Sequence, residues 1–108
     1  WGVRFITTQE IQTKGFDWMI GEVMAFFKAH SRMHVSFDCD SVDPFEAPGV
    51  NTPSRNGLTI DQVMTVLNAI PFDKVSSMDI VEYNPLRDNG KTKAMIIAVD
   101  ALVSAKKG

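Results

Sequence analysis

Three carboxylates follow one another in Ser36-Phe-Asp38-Cys-Asp40-Ser-Val-Asp43-Pro44, just where the apolar run from Met33 to Phe37 gives out. Along an extended strand alternate side chains share a face, which sets Asp38 beside Asp40 and turns Cys39 the other way. An advance of roughly 3.3 Å per residue puts the two aspartate Cα atoms about 7 Å apart, within reach of one cluster of hard cations. Oxygen donors without thiolate partners favour Mg or Mn over Zn or Cu, and paired carboxylates suit two ions that acidify bound water. Aspartate at a strand end also serves turn and capping chemistry, so the bare Asp-x-Asp spacing fits either use. Uncompensated carboxylates closing a covered strand are costly or take up protons, a difficulty that a cation would remove, and the two uses stay evenly balanced on the motif alone.

Glu82 closes a second apolar run, in Asp79-Ile-Val-Glu82-Tyr-Asn-Pro85. A glutamate there is either solvated or able to grip a guanidinium through two parallel charge-assisted hydrogen bonds. Asp43, preceding Pro44, is expected to tie the loop by bonding its own backbone. Cys39 should pack in the core as a small hydrophobe rather than act as a nucleophile. His34 lies on the strand face of Asp38 but about 13 Å from it, beyond a shared metal, and His30 suits the C-terminal dipole of a helix. Both histidines read as structural, and no Ser/His/Asp constellation emerges from the spacing.

The elements that must carry these groups alternate. Arg4 to Thr7 reads as a short strand and Gln9 to Gly15 as a polar connection. Asp17 is the expected N-cap of a helix with the apolar stripe Met19, Ile20, Val23, Met24 and Phe27, ending at Arg32. Met33 to Phe37 is nearly continuous in apolar character, as in a parallel strand covered on both faces. The segment from Asp40 to Gly57 holds Pro44, Pro48 and Pro53 and is longer than compact domains usually spend on a connection, a sign of function. Thr59-Ile-Asp-Gln62 forms a capping box before the stripe Val63, Val66, Leu67 and Ile70, and Pro71 stops that helix. Val75 to Val81 is a further strand. A last helix from about Thr92 turns Met95, Ile96, Val99, Leu102 and Val103 inward and sets Lys106 and Lys107 at its end. Trp1, Trp18 and the phenylalanines fit the core. The order predicts an α/β fold, a three-layer α/β/α arrangement with a parallel sheet and right-handed crossovers. Ligands in such sheets gather beyond the carboxyl ends of the strands, where Asp38, Asp40 and Glu82 all fall.

With 108 residues, 44% apolar and 22% charged, the chain suits one globular unit, residues 1–108. A formal charge of -2 and scattered Lys and Arg lack the basic footprint of a nucleic-acid partner. No apolar run reaches the roughly 18 residues of a membrane span. A single cysteine points to a reducing compartment, cytoplasmic or equally a mitochondrial matrix. Opening on Trp1 rather than Met leads us to expect a piece of something longer.

Ser-Phe-Asp-Cys-Asp-Ser-Val-Asp-Pro, Ala47-Pro-Gly-Val-Asn-Thr-Pro53, Gly57-Leu-Thr and Asp79-Ile-Val-Glu-Tyr-Asn-Pro-Leu-Arg-Asp88, in this order and spacing, resemble the ureohydrolases: arginases, agmatinases and formiminoglutamases. The resemblance covers essentially the whole chain and matches the C-terminal third of such an enzyme, with the loop and the Glu-Tyr-Asn-Pro-Leu segment most similar to arginase. It implies a binuclear manganese centre in which Asp38 bridges two Mn ions and Asp40 chelates one. It also implies Glu82 as anchor for the substrate guanidinium, Thr52 lining the pocket, and hydrolysis of arginine to ornithine and urea. Agmatine or formiminoguanidino substrates are the alternatives, as is a non-catalytic ureohydrolase-like module; a sugar-nucleotide transferase using Asp-x-Asp would need a nucleotide-binding loop that is missing. Asn51 stands where the family often has glycine, Arg55-Asn56 replace part of a Gly-Gly turn, and Cys39 replaces an aliphatic residue. The family's other ligands, two histidines and two aspartates, and its proton-shuttling histidine belong to upstream motifs. By this resemblance the chain alone should be inactive, and a homo-oligomer, trimer or hexamer, or a missing N-terminal portion should complete it.

Overall fold

The computed structural model describes residues 3–107; Trp1, expected in the core, lies outside them. Two helices open this part of the chain, α1 (Thr8–Lys14) and α2 (Phe16–Lys28), followed by strand β1 (Met33–Asp38), helix α3 (Ile60–Ala69), strand β2 (Val75–Val81) and helix α4 (Lys91–Lys107). β1 and β2 pair in parallel, with Val35 opposite Met78, Phe37 opposite Ile80 and Asp38 opposite Val81. The connection between them carries α3, as a parallel crossover requires. The α/β class, the second and third helices of the expected alternation, and the bounds of β2 agree with the sequence reading.

The opening does not. Residues 3–7 form no strand, and the polar stretch expected as a connection is α1. Thr7 accepts from the Glu10 amide at 3.1 Å while Glu10 accepts from the Thr7 amide at 3.2 Å, a complete capping box. The β-prone residues Phe5 and Ile6 have no neighbouring strand among the described residues, so local capping wins over β-propensity. Gly15, not Asp17, stands at the N-cap of α2; Asp17 falls in the first turn, where its charge still complements the dipole. That helix ends at Lys28 rather than Arg32, and the His30 ring closes it by bonding the Phe26 carbonyl at 2.8 Å.

β1 is not covered on both faces. Met33 and Phe37 are buried and Val35 is half-buried, but His34 and Ser36 are exposed. On β2 the opposed residues follow suit, with Ser77 and Asp79 exposed. The apolar face packs under α3, whose Val63 and Leu67 are buried, and α4 lies against α3 with Met95 and Val99 buried. Phe27, Phe37 and Phe72 belong to this core, whereas Phe5, Phe26 and Phe45 are exposed and Trp18 is half-buried under the Lys14 ammonium. No helix among the described residues is long and apolar enough to cross a membrane.

Candidate functional site

The two aspartates do face one place, but not along an extended strand. β1 ends at Asp38, and Cys39–Ser41 wind into a single 3-10 turn. Asp38 caps this turn: its Oδ1 accepts from the Asp40 amide at 3.0 Å, and its carbonyl accepts from Ser41 Oγ at 2.7 Å. Cys39 is thereby driven into the core, fully buried, as expected. Burial, and the Asp38 and Asp40 carboxylates beside it, push the Cys39 thiol up to about 11, which disfavours the thiolate form.

Asp38 itself has a raised pKa. Burial contributes most, followed by the side-chain hydrogen bond with Asp40; the negative charges of Asp40 and Glu82 add to it, against the lowering effect of the Asp40 amide. The Asp40 carboxylate, and more weakly the Glu82 charge, therefore bear on Asp38, and a cation placed beside it would relieve that. Carboxylate oxygen chemistry fits a hard divalent ion. Among the described residues no three His, Cys, Asp or Glu side chains converge to enclose a metal, so Asp38 and Asp40 by themselves would be at most a partial donor set.

The long loop binds back onto this turn. Val42 bridges Leu58, and Asp43 N donates to the Leu58 carbonyl at 2.9 Å, so the loop's two ends lie side by side. A Cβ on Gly57 would come within 2.7 Å of the Ser41 carbonyl, so only glycine permits that approach. Asp43 acts within the loop as expected, accepting from Phe45 N at 2.9 Å and from Asn56 N at 3.0 Å, which steadies Asn56 at φ 62°. Thr52 Oγ1 donates to Asp40 Oδ2 at 2.9 Å, placing it beside the aspartate pair.

Glu82 follows Val81, the ladder partner of Asp38, and takes φ 64°. The left-handed region costs a non-glycine residue about 1 kcal/mol or more, and such residues persist where their surroundings hold them. Two residues on, Asn84 is tied to its surroundings. Its amide donates to the Gly49 carbonyl at 2.6 Å, its Nδ2 to Asn51 Oδ1 at 2.6 Å, and its Oδ1 accepts from Leu86 N at 3.0 Å. Asp88 fastens the next segment, accepting from Thr92 N, Lys93 N and Tyr83 OH. Burial alone would raise its pKa, but those amide donors outweigh burial and hold it at about 2.

Asp38, Asp40, Thr52 and Glu82 are thus gathered at the carboxyl ends of the two strands. Two arrangements were not legible in the spacing. His34 Nδ1 meets Ser77 Oγ at 2.7 Å and Nε2 meets Asp79 Oδ2 at 3.2 Å, while Ser36 Oγ donates to Asp79 Oδ1 at 2.5 Å. These bonds, that from Ser36 foremost, lower the Asp79 pKa. Both His34 nitrogens are occupied far down the strand from the carboxylates, in keeping with a structural histidine. The second is the Asn51–Asn84 pair, which joins positions 33 residues apart. A hollow of about 390 Å³ between Phe45, Ile60, Met95 and Ala98 is lined by none of the four site residues.

Comparison with known proteins places this geometry. A family model described as "Arginase family" matches residues 1–106. An arginase of Plasmodium berghei is 38% identical over 89 residues, 80% of this chain and 25% of that protein. The crystal structure of arginase from Bacillus subtilis superposes with a TM-score of 0.85 at 28% identity, covering 94% of this chain and 37% of that one. The agmatine ureohydrolase of Thermoplasma volcanium gives 0.83 at 31% identity, over 97% of this chain and 35% of that one. The chain spans about a quarter to somewhat over a third of the length of these relatives.

Proposed function

The chain belongs to the arginase family, and from that premise we propose that it supplies the C-terminal part of a manganese-dependent ureohydrolase site acting on arginine. The observation that carries the reading is the placement of Asp38 and Asp40 about the turn that ends β1, with Thr52 Oγ1 on Asp40 Oδ2 at 2.9 Å, and of Glu82 directly after Val81, the ladder partner of Asp38. Asp38 and Asp40 would hold two Mn ions together with ligands from outside this chain. Bound manganese would supply the positive charge that acidifies water at neutral pH. Thr52, hydrogen-bonded to Asp40 Oδ2, orients that carboxylate and lines the substrate pocket. Glu82 binds the guanidinium through paired charge-assisted hydrogen bonds and sets its carbon against the aspartate pair. Water adds to that carbon, the bond to the alkyl-bearing nitrogen breaks, and urea leaves with a free amine.

Arginine is preferred to agmatine or a formiminoguanidino acid for the Ala47–Pro53 loop and the Glu82–Leu86 segment, and the first relatives carry the name arginase. Assembly with the remaining ligands, within a longer polypeptide or a trimeric or hexameric homo-oligomer in a reducing compartment, completes the site. Urea release by the complete polypeptide with Mn, assayed on arginine, agmatine and formiminoglutamate, tests the reading: arginine should be turned over fastest. Absence of urea from all three, with no Mn retained, would identify a non-catalytic module instead.

A further inference from the structure

Glu82 is held from both sides. Ahead of it, Val81 sits in the ladder opposite Asp38. Behind it, Asn84 is bonded twice to the long loop, through its amide to the Gly49 carbonyl and through Nδ2 to Asn51 Oδ1, both at 2.6 Å. The residue after Asn51 is Thr52, whose hydroxyl grips Asp40 Oδ2 at 2.9 Å. A continuous path therefore runs from Asp40 through Thr52 and Asn51 to Asn84 and the Glu82 turn. The ladder gives a second path from Asp38 through Val81 to the same residue. Glu82 lies in the left-handed region, which it would leave for an extended conformation if one side let go.

Resting on the ureohydrolase reading, we propose that Asn51 and Asn84 are a positioning pair that sets the gap between the Asp38/Asp40 carboxylates and the Glu82 carboxylate, and so the placement of the substrate guanidinium. Neither side chain need touch the substrate. A guanidinium carbon must be presented to attack within a narrow range of distance, and a displacement of about 1 Å can cost about 100-fold in rate. Of the two paths, the ladder is shared by every parallel strand pair, whereas the Asn51–Asn84 bond is an exposed side-chain contact that a single substitution removes.

The test is a double-mutant cycle in the complete polypeptide: N51A, N84A and the pair. N51A deletes one partner at a position whose φ is ordinary; N84A deletes the other while keeping the Asn84 amide bond to Gly49. Both should lower kcat/KM for arginine about tenfold or more with Mn content unchanged, and the double variant should be no worse than N84A alone. A crystal structure of the N51A protein should find Glu82 moved out of φ near +64° or its carboxylate displaced. Wild-type kcat/KM in N51A, additive losses in the double variant, or an unmoved Glu82 would each overturn the proposal. If the wild-type protein releases no urea, the ureohydrolase reading fails, and the Glu82 conformation in N51A and N84A still decides whether the pair holds it.

Discussion

Thr52 is half of the link between loop and aspartates, and its hydroxyl is the atom that matters. Removing it in T52A leaves Asp40 Oδ2 without its donor, and groups that orient a metal ligand typically contribute about 10- to 100-fold to metal affinity. Manganese titration of the complete polypeptide, followed by electron paramagnetic resonance, should show a loss of that order; unchanged affinity would detach Thr52 from the centre. Asp88 allows a prediction of another kind. Its folded pKa of about 2 lies below the usual aspartate value of about 3.9. The charged form is thus favoured by folding: its stabilising contribution is present above about pH 4 and is lost as pH falls toward about 2. The stability gap between wild type and D88N, from urea denaturation, should be widest near neutrality and shrink across that window. A gap that stays constant would contradict the assignment. Asp88 was visible in the sequence as the end of a motif, but nothing nearby announced that it accepts from Thr92 and Lys93, because those donors appear only once α4 has begun.

Capping and periodicity were legible wherever their partners are local. Thr59 and Gln62 were readable as a box because both bonds close within three residues, at 3.0 and 2.9 Å, and β2 was readable from its composition and the turn that stops it. The same logic applied to Thr7 and Glu10 would have found α1, but the β-prone residues before it drew the reading toward a strand. A strand is a non-local object, stable only beside a partner. That Asp38 and Asp40 share a side was anticipated, though for a different reason: a capped 3-10 turn, not pleating, brings them together. The Asn51–Asn84 bond could not be anticipated, since it depends on where a distant loop lands, and no residue pattern around Glu82 announces its positive φ. The two capping boxes also predict different behaviour. α3 carries buried Val63 and Leu67, whereas no residue of α1 is buried. T59A should therefore lower global stability by about 1 kcal/mol in thermal or urea unfolding. T7A should instead raise amide exchange within α1 while leaving the global midpoint nearly unchanged. Equal global losses would mean that α1 is part of the cooperative core.

At the scale of the molecule the sheet is the weak point. Its two strands leave both outer edges unpaired among the described residues, and one face presents His34, Ser36, Ser77 and Asp79 rather than apolar cover. Phe5, Phe45 and Leu86 are each more than 70% exposed, far from the buried state their size favours. Open edges and exposed apolar groups both promote association. The 12.0 kDa chain produced alone should therefore scatter light as a larger species or lose solubility with concentration, and a clean monomer would contradict this. The site follows the same rule. Asp38 and Asp40 offer at most four carboxylate oxygens, too few for the coordination spheres of two hard divalent ions, each of which takes about six ligands. The isolated chain with Mn should consequently release no urea from arginine, even where the fold is intact by circular dichroism. The complete polypeptide should release it, and should lose that activity on treatment with a chelator and regain it when Mn is restored. Urea production by the 108 residues alone would show that Asp38, Asp40 and Glu82 need no further ligands, and the account of a divided site would have to be abandoned.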